Sequence, residues 1–113
     1  MVLNAGRLDR RVQVRRFNEN GRDPLNEPVG AWEDYGPLLY AERRDISDGE
    51  KTAAGALWAV LDTRFTVRSS VVTRAIKHND RVLCEGQTYE IAGIKEAEGR
   101  KAFIEITCKA LVV

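Results

Sequence analysis

Only one histidine, His78, stands among the 113 residues, and it lies in the polar run Lys77-His78-Asn79-Asp80. A hydrolase or transferase needs a nucleophile and a base that meet, or metal ligands at workable spacing, so a lone turn histidine reads as a surface residue. Cysteine is nearly as scarce. Cys84 and Cys108 fall at apolar positions of predicted strands and read as buried free thiols, because a zinc site needs closer and more numerous ligands. No glycine-rich phosphate loop follows a strand, and Cys-x-x-Cys, His-Glu-x-x-His and Gly-x-Ser-x-Gly are all missing. Asp45, Asp48 and Glu50 are close in sequence, but helix capping accounts for two of these carboxylates better than a metal does. The expectation is a protein that is not an enzyme and uses no cofactor.

Apolar runs long enough to cross a bilayer are also lacking, and the first seven residues have no apolar core of signal-peptide length. Synthesis in the cytoplasm, with no membrane span, is the expectation. Charge of one sign is absent overall: 18 basic against 17 acidic residues leave +1, which gives no general attraction to nucleic acid or acidic lipid. Locally the balance tips. Arg7, Arg10, Arg11, Arg15 and Arg16 outweigh Asp9, and then Glu19, Asp23, Glu27, Glu33 and Asp34 outweigh Arg22. This pattern reads either as a solvated strand face followed by an acidic loop, or as complementary patches that orient the chain against another protein.

What the chain does have is alternation. At this length, with 43% hydrophobic and 31% charged residues, one globular domain over residues 1–113 is expected. Arg81 to Cys84 and Gln87 to Ile94 predict a hairpin turning at Glu85-Gly86, with Val82 and Cys84 on one face, Tyr89 and Ile91 buried, and a bulge at Gly93. Val12 and Val14 point inward from a half-buried strand whose Arg11, Gln13 and Arg15 point outward. Asn18 to Gly30 collects Asn, Gly, Asp and Pro and reads as a long loop, after which Trp32 and Tyr35 pin the chain back.

Leu38 to Arg44 predicts a second strand. Ser47-Asp48-Gly49-Glu50 has the form of a capping box and predicts a short helix over 48–54 that stops at Gly55. Leu57 to Arg68 is the longest alternating run, with Leu57, Ala59, Leu61, Thr63, Phe65 and Val67 inward, while Trp58 and Val60 carry apolar surface on the other face. Ser69 to Asp80 reads as a one-turn helix over 71–77 or an irregular crossover, and Ala102 to Ala110 as the last strand with Ile104, Ile106 and Cys108 inward. About six strands, turn signals between them and no βαβ alternation point to an all-β fold: a small antiparallel β-barrel with one or two short helices in its connections. Such a barrel could also bind single strands on aromatics beside a basic groove, but here the aromatics are dispersed and Tyr89 and Phe65 are committed to the core.

The order of parts also resembles a known family. Ala5-Gly6-Arg7-Leu8-Asp9-Arg10-Arg11-Val12, Trp32-Glu33, Tyr40-Ala41-Glu42, Gly49-Glu50, Phe65-Thr66-Val67-Arg68, Arg81-Val82, Gly86-Gln87-Thr88-Tyr89-Glu90-Ile91-Ala92-Gly93-Ile94 and Ile104-Glu105-Ile106-Thr107-Cys108 look, in that order, like stretches of the head-tail joining proteins of long-tailed bacteriophages. These are also called head-closure or stopper proteins, and similar ones occur in phage-like gene transfer particles. Tyr40 departs mildly, standing where the family often has Trp.

The resemblance implies a virion protein of the head-tail junction, assembled in the bacterial cytoplasm as a homo-oligomeric ring of about six or twelve copies. Its partners would be adaptor and portal proteins on the head side, a tail terminator on the tail side, and packaged double-stranded DNA in the channel. The segment matching the family's channel-closing connection is Arg43 to Ala56. On that expectation Arg43, Arg44 and Lys51 approach the DNA, and Trp58 and Val60 meet a neighbouring subunit. Another tail-completion subunit of the terminator kind is the alternative, and a small nucleic-acid-binding barrel stands behind it.

Overall fold

The computed structural model describes the backbone of residues 8–53, 56–97 and 102–111, and the side chains of residues 8–46, 62–96 and 102–111. Six strands close into a barrel in the order β1-β2-β3-β6-β5-β4, and every neighbouring pair is antiparallel. They are β1 Arg10–Arg22, β2 Pro28–Ala53, β3 Ala56–Arg68, β4 Arg81–Cys84, β5 Gln87–Ala97 and β6 Phe103–Ala110, with one helix, α1 Val71–Arg74, before β4.

The β4–β5 hairpin forms where alternation places it. Glu85 (φ 50°) and Gly86 (φ 81°) both take positive φ, the two-residue turn whose twist matches that of the strands it joins. Val82 then faces Tyr89 across the ladder. Ile91 opposes Cys108 and Gly93 opposes Thr107, so Ala92 is the extra residue of a bulge that shifts the phase before Ile94.

Val12, Val14, Phe65, Val67, Val82, Tyr89, Ile104 and Ile106 fill the barrel, with the Phe65 and Tyr89 rings edge to face at 5.2 Å. Cys84 and Cys108 are buried free thiols among them. Burial pushes the Cys108 thiol up to about 12, and burial also raises that of Cys84, so both stay neutral at ordinary pH.

The connection from β3 to β4 closes one end of the barrel. Ser70 caps α1 by accepting from the Thr73 amide (3.1 Å), while Thr73 Oγ1 accepts from the Ser70 amide (2.7 Å) and donates to the Arg68 carbonyl (2.8 Å). Ile76, from the same connection, enters the core. The helix is shorter than the 71–77 that the sequence predicts, because its backbone turns off after Arg74 to bring Asp80 inward.

Three local expectations fail, each for a physical reason. Asn18 to Gly30 is not a long loop: β1 runs to Arg22 and β2 begins at Pro28, leaving a tight turn in which Asp23 Oδ1 accepts from the amides of Leu25 and Glu27. The residues that looked like loop punctuation serve the ribbon instead. Gly21 follows a bulge, and Gly30 lies so close to the Asn18 carbonyl oxygen that a Cβ would sit 2.0 Å from it.

The Ser47 to Glu50 capping box does not start a helix. Ser47 pairs with Leu61 and Glu50 with Ala59 across β3, because a full ladder outweighs one reciprocal cap in a segment weakened by two glycines. Gln13, read as outward, is buried, and its Nε2 donates to the carbonyls of Val14, Tyr35 and Gly36. It does so because β2 carries extra residues between the partners of Val12 and Val14, and the looped-out carbonyls need a donor.

Two arms therefore leave the barrel. Among the described residues, β4 ends opposite Arg15, so beyond it β1 is paired with β2 alone. The β3–β6 ladder ends at Thr63, so among the described residues the stretch 56–62 of β3 is likewise paired with β2 alone. One strand, β2, runs from the tip of the first arm across the barrel wall into the second. Its 26 residues would stretch about 86 Å if straight. The longest dimension is 51 Å, so β2 bends, and its two register slips are where it can.

Candidate functional site

The first arm differs from the barrel in which side it makes apolar. Val12 and Val14 point into the core, and Arg16, next on that face, reaches under the crossover to Asp80. Its Nε donates to Oδ1 at 3.0 Å, its Nη2 donates to Oδ2 at 2.9 Å and to the Ala75 carbonyl at 2.9 Å, and the guanidinium lies 3.8 Å from the Tyr35 ring centre. Asp80 is 2% exposed and also accepts from the Lys77 amide, while the Tyr35 hydroxyl donates to the Val72 carbonyl. The hydrogen bond to Asp80 holds the Arg16 guanidinium above its ordinary pKa. This buried node fixes the arm's base to the crossover. Sixty-four positions separate its partners, so local sequence patterns carry no trace of it.

On the opposite face, continuous with the outside of the barrel, Phe17 pairs with Trp32, ring centres 5.6 Å apart. The Arg81 guanidinium caps the Trp32 ring at 4.2 Å, and Arg15 bonds Asp34 and the Trp32 carbonyl. Together Arg15, Trp32, Arg81, Leu83 and Thr88 line a cleft of about 350 Å³ at the arm's base. Among the described residues, no carboxylate lies within ion-pair distance of Arg81; Glu90, its cross-strand neighbour, forms no such pair. At the tip, Leu25 is 81% exposed between Asp23 and Glu27. Of the charged residues on the ribbon, Arg15 pairs with Asp34 across the two strands, Glu33 accepts from the Asn18 side-chain amide, and Arg22 pairs with Glu19 along β1.

A second apolar surface lies beside α1, where Leu38, Tyr40 and Val71 are exposed and Arg11 donates to the Tyr40 hydroxyl at 2.7 Å. Leu39, Val67, Arg68 and Ser70 complete the shallow groove between them.

The residues that sequence reasoning selected fall elsewhere. Arg43 stands at the other mouth of the barrel, bonded to Asp45 at 3.3 Å, 3.9 Å from Glu85 and over the Tyr89 ring. Asp45 also accepts from Thr63, and Arg10 pairs with Glu85. Burial lowers the Arg43 pKa, but the Asp45 hydrogen bond and neighbouring groups outweigh it, for a net rise. Arg44 follows on the strand and so faces the other side, with Glu42 4.0 Å away. The two arginines are therefore not brought together. Lys51 and Trp58 are register partners on the second arm, with Val60 two residues further along β3; the side chains of Lys51, Trp58 and Val60 lie outside the described residues. His78 is exposed, and among the described residues no group of three or more His, Cys, Asp or Glu side chains could hold a metal.

Comparison with known proteins follows the same outline. The sequence profile of the phage head completion proteins matches residues 3–111. A chain from the virion of a native gene transfer agent particle superposes with a TM-score of 0.70 at 16% identity, over 93% of this chain and 96% of that one. A protein of Shigella flexneri 2a known from its solution structure superposes with a TM-score of 0.66 at 24% identity, over 96% of each chain. At these identities the likeness is one of fold. No curated protein matches the sequence.

Proposed function

The chain belongs to the phage head completion protein family, and from that premise we propose that it is a non-enzymatic ring subunit of the head-tail junction. In this reading the ring sits beneath the portal and adaptor, retains packaged double-stranded DNA and offers the tail terminator its docking surface.

The observation that carries the reading is the second arm. Residues 46–53 and 56–62 form a two-stranded ribbon projecting past the barrel wall, in the segment where the family resemblance puts the channel-closing connection. A ribbon satisfies its backbone hydrogen bonds within itself and can reach a ring axis while the barrel stays in the wall. Arg44 and Lys51 would then bring positive charge toward the DNA, repeated by every copy, while Arg43 braces the ribbon's root through Asp45 and Glu85. Trp58 and Val60, on the same ribbon, would meet the next subunit.

Particles in which residues 48–60 are replaced by a tight turn test this. Heads should fill and then lose DNA, read as nuclease-sensitive genome, while the isolated barrel keeps its β-sheet circular dichroism. Full retention would overturn the assignment. Replacing Arg44 and Lys51 together with Gln should weaken retention in the same assay, and unchanged retention would remove those two residues from the channel.

A further inference from the structure

The first arm carries a knob and, at its own base, the cleft that fits it. We propose that the arm tip of one copy, with Leu25 as the apolar knob and Asp23 and Glu27 beside it, docks in the cleft formed by Arg15, Trp32, Arg81, Leu83 and Thr88 of a second copy. Leu25 is an apolar side chain left 81% exposed in a turn that the Asp23 carboxylate braces by accepting hydrogen bonds from the backbone amides of Leu25 and Glu27. The cleft has the opposite character: an aromatic wall at Trp32, an apolar floor at Leu83, and the Arg81 cation spread over the indole with no carboxylate partner among the described residues. Glu27 approaching Arg81 would supply that carboxylate in a desolvated place, while Leu25 covers Trp32.

The partner must be another molecule. Tip and cleft are held apart by the paired stretch from Arg16 to Arg22, roughly 20 Å of ribbon, so an arm cannot fold back on itself without breaking its ladder. A tip-to-base contact is heterologous, using two different patches, and repeated contacts of that kind close into a ring or run on as a filament. The proposal rests on the ring reading above and names the surface that would build it.

The test uses full-length chains with one added thiol, Leu25→Cys in one preparation and Thr88→Cys in another. The native thiols are buried and stay out of the exchange. Mixed and oxidised, the two should cross-link at least tenfold above a control pairing of Leu25→Cys with Lys109→Cys. Adding Arg81→Glu to the cleft chain should abolish that excess, and Glu27→Arg on the tip chain should restore it. Cross-linking no better than the control, or insensitive to the charge swap, overturns the proposal. The ring reading is scored separately by electron microscopy of the products. Specific cross-links in open chains would keep the contact and sink the ring, whereas closed rings without the cross-link would do the reverse.

Discussion

The barrel and the first arm are made from the same two strands, yet they spend their side chains differently. Within the barrel β1 and β2 turn Val12, Val14 and Ala41 inward, and all are essentially inaccessible. From two residues beyond Val14, the inward face holds Arg16, Asn18 and Glu33, and the aromatic pair Phe17 and Trp32 looks outward. A strand that only needed to be stable would keep one apolar face throughout. The change of side shows that the arm is stabilised by its ladder, its turn and the Arg16–Asp80 node, which leaves its apolar surface for something other than its own core.

Four substitutions and one titration sharpen that contrast. The largest effect is expected in the barrel: Phe65→Ala should cost about 3–5 kcal/mol, measured by urea denaturation. Next is the joint between the regions, where Arg16→Ala leaves Asp80 buried without its cation and should cost about 3 kcal/mol. A loss near zero at either position would mean the rigid unit has been drawn in the wrong place. Gly30→Ala drives a Cβ into the Asn18 carbonyl and should cost about 1–3 kcal/mol locally. Hydrogen exchange should show residues 17–22 and 28–32 losing protection while the barrel keeps its own. Trp32→Ala should be the mildest, about 1 kcal/mol, while abolishing the tip-to-cleft cross-link.

The titration concerns the barrel alone. Cys108 ionises near 12 when folded and near 9.0 in its reference state. The stability contributed by its neutral burial is complete below pH 9 and is lost as pH rises toward 12. Urea midpoints should fall across that window, with a slope of up to about 1.4 kcal/mol per pH unit for this thiol. Cys108→Ala should flatten the slope, and an unchanged slope would mean that another group governs the alkaline loss.

The same contrast decides what could be read from the residues. Where a strand has a core on one side, period-two alternation records it, and the faces of β1, β4, β5, β6 and the described part of β3 follow from Val12, Val82, Tyr89, Ile104 and Phe65. Where a ribbon has no core, alternation has nothing to record. Asn18 to Gly30 reads as loop for that reason, although its symmetry about the turn is a usable signal: Arg15 with Asp34, Arg16 with Glu33 and Phe17 with Trp32 are mirror pairs about Asp23 to Glu27. The two capping boxes make the same point. Ser47 to Glu50 has the stronger local form but sits opposite a strand, whereas Ser70 with Thr73 caps a real helix because the chain must turn there to close the barrel. Of the functional surface, the apolar patch and its cation depend on Trp32 and Arg81 meeting across three strands, and no local spacing encodes that.

The central claim is that this chain stands in a ring at the head-tail junction with its β2–β3 arm in the channel, and a cryo-electron microscopy map of the assembled particle tests it most directly. The account predicts barrels side by side in a closed ring between head and tail, with residues 46–62 directed at the axis. A map that places the chain elsewhere in the particle, or turns that arm away from the channel, would contradict it.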